Sequence, residues 1–281
     1  MKLQPTITEP VQPDVETQIA FEQLYDKNQL IKRVRSEFEI PQVLKHFLKN
    51  NIQKEFGLNL MVQMVLHKRA PLVVLVGLLQ RHFKNTKDPC QSCVYALINA
   101  AEADLLDYSA DKDTFIIKHD VDDECYADIN RYQYPLPMLI VPEPISNNKQ
   151  SGYVTINSSI ILQDNHHEDD VCLDHINRVN TTKLSINVDT VNMIANSWES
   201  LDKRKVEESV ADYQKRIKAF DKYDKNSRDI IDHLVQQGNA FYLTHKYDKR
   251  GRCYCQGYHV TYQGNEWNKA AIEFAHKELT I

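Results

Sequence analysis

Between positions 247 and 269 the sequence reads Tyr247-Asp248-Lys249-Arg250-Gly251-Arg252-Cys253-Tyr254, then Tyr262-Gln263-Gly264-Asn265-Glu266-Trp267-Asn268-Lys269. Three cations flank one glycine, a residue that lets backbone come close to a ligand. Asp248 can hold one of the arginines in place, and Tyr254 and Tyr258 offer flat faces. Cations and aromatics gathered around a glycine suit contacts to phosphate and base. An exposed hairpin with a weak surface ion pair has the same composition. A second basic set lies upstream. Residues 203–228 hold nine Lys and Arg against five acids, in a chain of formal net charge −5. The cations are Lys203, Arg204, Lys205, Lys215, Arg216, Lys218, Lys222, Lys225 and Arg228. They describe either a solvated helical face or one that lies along a polyanion.

Other groupings carry less chemistry. Cys90 and Cys93 form a C-x-x-C, and Cys172 with His175 a C-x-x-H, ligand types that zinc accepts. The two pairs are far apart in sequence, and Cys93 opens an apolar helical pattern with Val94, Ala96, Leu97 and Ala100. Buried thiols fit better. Residues 102–128 contain ten acids against Lys112 and Lys118 only. They are expected to form a solvated acidic surface, with a divalent-metal site as the rival. His82, His119 and Asp120 could serve a metal phosphohydrolase only if facing helices brought them together. Asp120, however, lies in an Asp-rich stretch of poor periodicity. His166-His167 reads as a solvated loop. No catalytic or metal-ligating set is expected within this chain.

Composition bounds the class. A chain of 281 residues makes one large domain or two modest ones and can bury a sizeable core. Hydrophobic content of 42% and charged content of 26% lie in the globular range, which excludes wholesale disorder. The longest apolar run, Ala70 to Leu79, is too short to cross a bilayer. The first residues lack an apolar stretch, so no secretory signal and no membrane partner are expected. Six cysteines without such a signal point to reduced thiols.

The elements that position these groups are mostly helical. Glycine is scarce, seven in 281, and no proline follows Pro144; both favour long helices. After a proline-rich arm over residues 1–13, helical spacing runs from Val15 to about Phe38, from Pro41 through Ile52, over Leu58–Leu79 with a break at Pro71, and over Cys90–Leu106. Residues 131–162 are proline-punctuated and extended. Glu168–Trp198 is expected to be helical. Ser200–Gln237 reads as a helical hairpin with its turn near Lys225–Ser227. From Phe241 the period changes to short strands, closed by a helix over Glu266–Lys277. The expected class is mainly α with a small C-terminal β part, α+β.

The segment from Asp248 to Arg252 resembles the D-x-x-G-R block of the single-subunit RNA polymerases of bacteriophages and mitochondria, where the chain enters the palm. The resemblance continues through that family's Q-G-N-[DE]-x-x-K stretch, here Gln263, Gly264, Asn265, Glu266 and Lys269. Two weaker blocks precede it in the same order. One is Pro137-Met138-Leu139-Ile140-Val141-Pro142-Glu143-Pro144 leading to Gly152-Tyr153. The other is Ile176-Asn177 with Asn180-Thr181-Thr182 and Ile186-Asn187, similar to the family's last helix before the thumb. Together they span about residues 130–278.

The resemblance implies a helical N-terminal domain over 1–198 with an extended segment at 131–162, a thumb-like hairpin over 199–240, and the start of a palm over 241–281. The family's metal-binding aspartates lie downstream of D-x-x-G-R, beyond Ile281. His119-Asp120 imitates its second metal motif but stands on the wrong side of that block. The chain therefore resembles the small subunit of a split, heterodimeric DNA-dependent RNA polymerase, of the kind found in schitovirus-type phages. A large subunit would supply the catalytic aspartates, the Mg2+ that they hold, and the fingers. The same resemblance implies a DNA template and RNA–DNA hybrid, NTPs, a promoter-opening or single-stranded-DNA-binding activator, and the cytoplasm of an infected bacterial host. It assigns Arg252 to the template strand or hybrid, Gly251 to close approach, and Asp248 to orienting the motif through an arginine. Tyr254 then lines the hybrid, Lys269 meets a backbone phosphate, and Arg250 is a further nucleic-acid contact. Lys215, Arg216 and Lys222 are the implied backbone contacts of the thumb. A free-standing nucleic-acid-binding or structural phage protein is the alternative.

Overall fold

The computed structural model describes residues 13–119, 121–162 and 171–276. The arm over residues 1–12, Asp120, His166 and His167 lie outside the described residues. The protein is mainly α-helical with small antiparallel sheets, an α+β class. It divides into two compact units, residues 27–130 and residues 1–26 with 131–281. The expected boundary near residue 198 lies inside the second of these. The divide falls instead at the joint between the first helix, α1 (Val15–Tyr25), and the next, and again within a later helix.

In the smaller unit, α2 (Lys27–Phe38), α3 (Pro41–Lys49), α4 (Lys54–His67), α5 (Leu72–Leu79), α6 (Pro89–Glu102) and most of α7 (Asp123–Tyr132) surround one apolar core. Helix α4 is its axis, burying Phe56, Leu58, Leu60, Met61, Val62, Met64 and Val65. Proline at the first turn starts α3, and Asp88 followed by Pro89 starts α6. The acidic stretch contains two strands that the composition hid, β2 (Leu106–Ser109) and β3 (Thr114–Ile117), paired with β1 (Arg69–Pro71). Leu106 and Phe115 turn into the core while Asp107, Asp111 and Asp113 stay exposed. Acids on one face did not prevent a strand, because only the other face needs apolar residues.

The larger unit holds the sequence blocks of interest. Residues 133–161 form no helix and join the rest through single bridges, Met138 to Tyr242 and Ile161 to Tyr247. The helix expected over Glu168–Trp198 is three elements: α8 (Leu173–Asn180), β4 (Leu184–Ile186) and α9 (Val188–Met193). Asn187 caps α9 by accepting the Thr190 N–H, which ends the strand and begins the helix.

The expected hairpin over 200–237 is instead one helix of 27 residues, α10 (Val210–Gln236), capped by Ser209. No glycine or proline interrupts it. Lys225-Asn226-Ser227 suggested a turn because the residues are polar. They are polar for another reason: Asn226 and Ser227 are buried, and Ser227 faces the ring of His259 at 3.4 Å.

The strands β5 (His245–Tyr247) and β6 (Cys253–Cys255) follow, then α11 (Glu266–Ala271) and β7 (Ile272–Phe274). The helix expected to run from Glu266 to Lys277 stops at Ala271. Pairing of β7 with β4, in the register Leu184 to Phe274 and Ile186 to Ile272, overrides it. Lys277 lies outside the described residues.

Candidate nucleic-acid interface

The candidate site is the five-residue loop from Asp248 to Arg252 that joins β5 to β6. The strands close it through the pairs Lys246 with Tyr254 and Tyr247 with Cys253. Asp248 N–H donates to the Arg252 carbonyl, and Gly251 N–H donates to the Asp248 carbonyl, both at 2.9 Å. Gly251 has φ +78°, a conformation in which side chains are strained. A Cβ there would meet nothing within 4 Å. The glycine is therefore needed for its backbone angle, and the space beside it is open.

One carboxylate organises the loop. Asp248 Oδ1 accepts the backbone N–H groups of Arg250 at 2.8 Å and Arg252 at 3.0 Å. Its Oδ2 accepts from Arg252 Nε at 2.9 Å and from Arg250 Nη2 at 3.1 Å. Burial pushes the carboxyl pKa up, and the backbone N–H and guanidinium of Arg252 outweigh that and hold it below its ordinary value. The Asp248 side chain is 14% exposed, whereas those of Arg250 and Arg252 are 63% and 52% exposed. Both guanidiniums thus present open donor edges to solvent. Arg252 also lies over the Tyr254 ring, 5.6 Å from its centre, which fixes the plane of its fork. Lys249 is exposed beside them.

The other sequence blocks converge on this hairpin from behind. Asn177 donates to and accepts from the backbone of Ile145, at 2.9 and 2.8 Å. Gly152 sits against Pro142, where an added Cβ would lie 2.8 Å from the proline Cβ, and its carbonyl accepts the Glu143 N–H at 2.9 Å. The adjoining Tyr153 hydroxyl accepts from Thr244 at 2.8 Å, one residue before β5. Asn180 Oδ1 accepts from His245 Nδ1 at 2.8 Å, and His245 Nε2 accepts from the Tyr262 hydroxyl at 2.6 Å. Burial lowers the His245 pKa to about 4, so the ring is neutral at pH 7. The carboxamide of Gln263 bonds along β6, and Asn265 caps α11 by accepting the Asn268 N–H at 3.0 Å. Lys269 then stands exposed on α11, paired with no described acid.

The cations of α10 divide into two groups. At about 100° per residue, Lys215, Lys218, Lys222 and Lys225 fall within about 80° of one another on one exposed face. Lys215 also pairs with Asp212 at 3.0 Å. Arg216 points elsewhere. Its guanidinium is held by both oxygens of Glu208, at 2.6 and 2.8 Å, and by the Ser200 carbonyl, and this pairing pushes the Glu208 pKa down to about 2. Arg228 bonds Asp224 at 3.0 Å and lies over the Trp267 ring. Of the three cations expected to meet backbone phosphates, Lys215 and Lys222 share the lysine face and Arg216 is engaged within the chain. His245 and Asn180, which the sequence did not single out for this network, anchor the hairpin. Asn180 stood in one of the blocks of the resemblance, whereas the only sequence signal of His245 was polarity beside the apolar run Phe241–Leu243.

Among the described residues no three His, Cys, Asp or Glu side chains stand close enough to hold a metal ion. His82 Nε2 meets Asn59 Nδ2 at 3.0 Å, and burial lowers its pKa. Cys93 is fully buried, and its thiol is pushed up to about 11 by that burial. Among the described residues no helix is long and apolar enough to cross a membrane. No family model matches this chain, and no curated protein matches it either.

Proposed function

We propose that this chain is a subunit of a DNA-dependent RNA polymerase related to the single-subunit phage and mitochondrial enzymes. It contributes the Asp248–Arg252 loop and a basic helix to the nucleic-acid path. A larger partner chain supplies the catalytic carboxylates, their Mg2+ and the fingers. What carries the reading is the meeting of three blocks at the hairpin that carries the fourth. These blocks resemble the family in order (Pro137–Tyr153, Ile176–Asn187, Asp248–Arg252 and Gln263–Lys269); the third is the loop of the hairpin itself, Asn180 and Gln263 bond its strands, and Tyr153 bonds Thr244 just before it.

The chemistry of the loop fits that role. Arg252 and Arg250 each keep donors free after bonding Asp248, which suits two-point contact with phosphate. The carboxylate holds both side chains in place before any ligand arrives, so less conformational freedom is lost on binding. Contacts of this kind position a strand and carry no sequence information. The lysine face of α10 adds sequence-independent attraction that depends on salt.

The test is affinity purification of the tagged chain from phage-infected cells, with the eluate assayed for incorporation of labelled NTPs on a primed DNA template. A larger polypeptide in the eluate, with template-dependent RNA synthesis that the isolated chain lacks, is the expected result. Elution of the chain alone, binding nucleic acid without synthesis, replaces this reading with that of a free-standing nucleic-acid-binding protein.

A further inference from the structure

The sheet of β4 and β7 is satisfied on one edge and open on the other. Strand β4 is bonded on both sides. Towards β7, Asn187 N–H donates to the Ala271 carbonyl at 2.8 Å and Ala275 N–H donates to the Lys183 carbonyl at 3.0 Å. On its far side, Leu184 exchanges both backbone bonds with Phe241, and Ile186 exchanges both with the carboxamide of Asn239. That phase turns the backbone groups of Ala271, Glu273 and Ala275 towards β4. The N–H and C=O groups of Ile272 and Phe274 then point outwards, and no backbone group from outside α11 bonds them among the described residues.

Beside this edge lies a cavity of about 470 Å³, lined chiefly by Val179, Leu184, Leu243, Tyr262, Ile272 and Phe274. The Phe274 ring at its rim is 67% exposed. Thr182, Glu273 and His245 complete its wall; the Glu273 carboxylate accepts from Asn187 Nδ2 at 3.1 Å, and His245 has both nitrogens occupied by Asn180 and Tyr262. The cavity therefore offers mostly apolar surface, and the edge offers donors and acceptors in alternation. A helix has no free backbone groups to match that edge. An extended strand has them at the right repeat, two residues or roughly 7 Å apart.

We propose that the outer edge of β7 receives an extended segment of a second polypeptide, with a bulky apolar side chain of that segment filling the cavity beside Phe274. The identity of that polypeptide as the large polymerase chain rests on the function proposed above, whereas the mode of docking rests on the β7 edge itself. An open edge with an apolar rim is also a hazard for aggregation, which a permanent partner removes.

Hydrogen exchange at single amides tests this, using the full chain alone and in the complex recovered by affinity purification. The amides of Ile272 and Phe274 should exchange rapidly in the isolated chain and at least about tenfold more slowly in the complex. The Glu273 amide, turned towards β4, should be slow in both. Phe274→Asp should weaken assembly more than about tenfold while the isolated variant melts as the native chain does, and Phe274→Leu should assemble normally. A complex that makes RNA but leaves both amides fast overturns the docking mode and spares the polymerase reading. A complex with both amides protected but no RNA synthesis does the reverse. A chain that elutes alone overturns both. Protection already present in the isolated monomer, or arising by self-association, overturns the proposal by assigning the edge to this chain.

Discussion

Gln263 completes the edge of β6 with its side chain. Its Oε1 accepts the Cys255 N–H at 2.8 Å, and its Nε2 donates to the Cys253 carbonyl at 3.3 Å, as a neighbouring strand would. Two net hydrogen bonds amount to about 1–2 kcal/mol. Gln263→Ala should therefore lower the melting temperature by a few degrees. It should also speed modification of the Cys255 thiol, which burial now pushes up to about 12. A variant with native melting and native thiol reactivity would show that the carboxamide does not hold the strand.

On the polymerase reading, Arg252→Ala in the assembled enzyme should reduce RNA synthesis by about 10–100-fold. Removing a charge-assisted bond corresponds to about 1.5–3 kcal/mol of positioning. The two chains should still co-purify. Arg250→Ala should cost less, since Arg250 lacks the aromatic support that Tyr254 gives Arg252. Equal, near-native activity of both variants in a run-off assay would remove the loop from the nucleic-acid path.

Acid should loosen the hairpin through His245. Its folded pKa of about 4 lies below the ordinary value of 6.5, so between those values the unfolded chain binds the extra proton. Stability from this residue is complete above about pH 6.5, falls as pH drops towards 4, and is level below that. The full effect is up to about 3 kcal/mol. Chemical denaturation of the native chain and of His245→Gln across that range isolates it. The variant should be less stable at pH 7 and show a shallower decline, and parallel curves would exclude His245 as the source.

The lysine face and Arg216 should separate in a salt titration of nucleic-acid binding. Removing Lys218 and Lys225 together should lower the slope of log affinity against log salt by about 0.7–0.9 for each phosphate that is no longer neutralised. Arg216→Ala should leave that slope unchanged, because the guanidinium is bonded to Glu208 and Ser200. A drop with Arg216→Ala alone would reverse the assignment.

The continuity of α10 can be tested by proline. Lys225 is exposed in mid-helix, so Lys225→Pro removes a backbone bond without disturbing a buried side chain. It should cost about 3 kcal/mol or more, visible as a fall in helical circular dichroism and denaturation midpoint. A turn at Lys225–Ser227 would accept the same substitution nearly unchanged.

What the sequence alone determined is local. The loop from Asp248 to Arg252 was legible because its closing bonds join residues four apart or fewer. Most helices of the smaller unit were legible because their apolar period runs over several turns, and α3 and α6 begin at a proline. Three features were decided only by tertiary structure. Ile272-Glu273-Phe274 is a strand because β4, nearly ninety residues earlier, supplies the opposing backbone; on its own it continues α11 equally well. Asn226 and Ser227 read as a turn until burial against the rest of the unit explains their polarity. Arg216 reads as one more basic contact until Glu208, two turns back along the chain, satisfies it. Periodicity reports which side of a segment meets apolar surroundings, but a strand's partner and a buried polar contact depend on residues far away in sequence, and the destination of a charge depends on how the chain before the helix folds back. A window of neighbours holds neither the strand partner of Ile272–Phe274 nor the surroundings of Ser227, and it holds Glu208 without showing that it turns back onto Arg216.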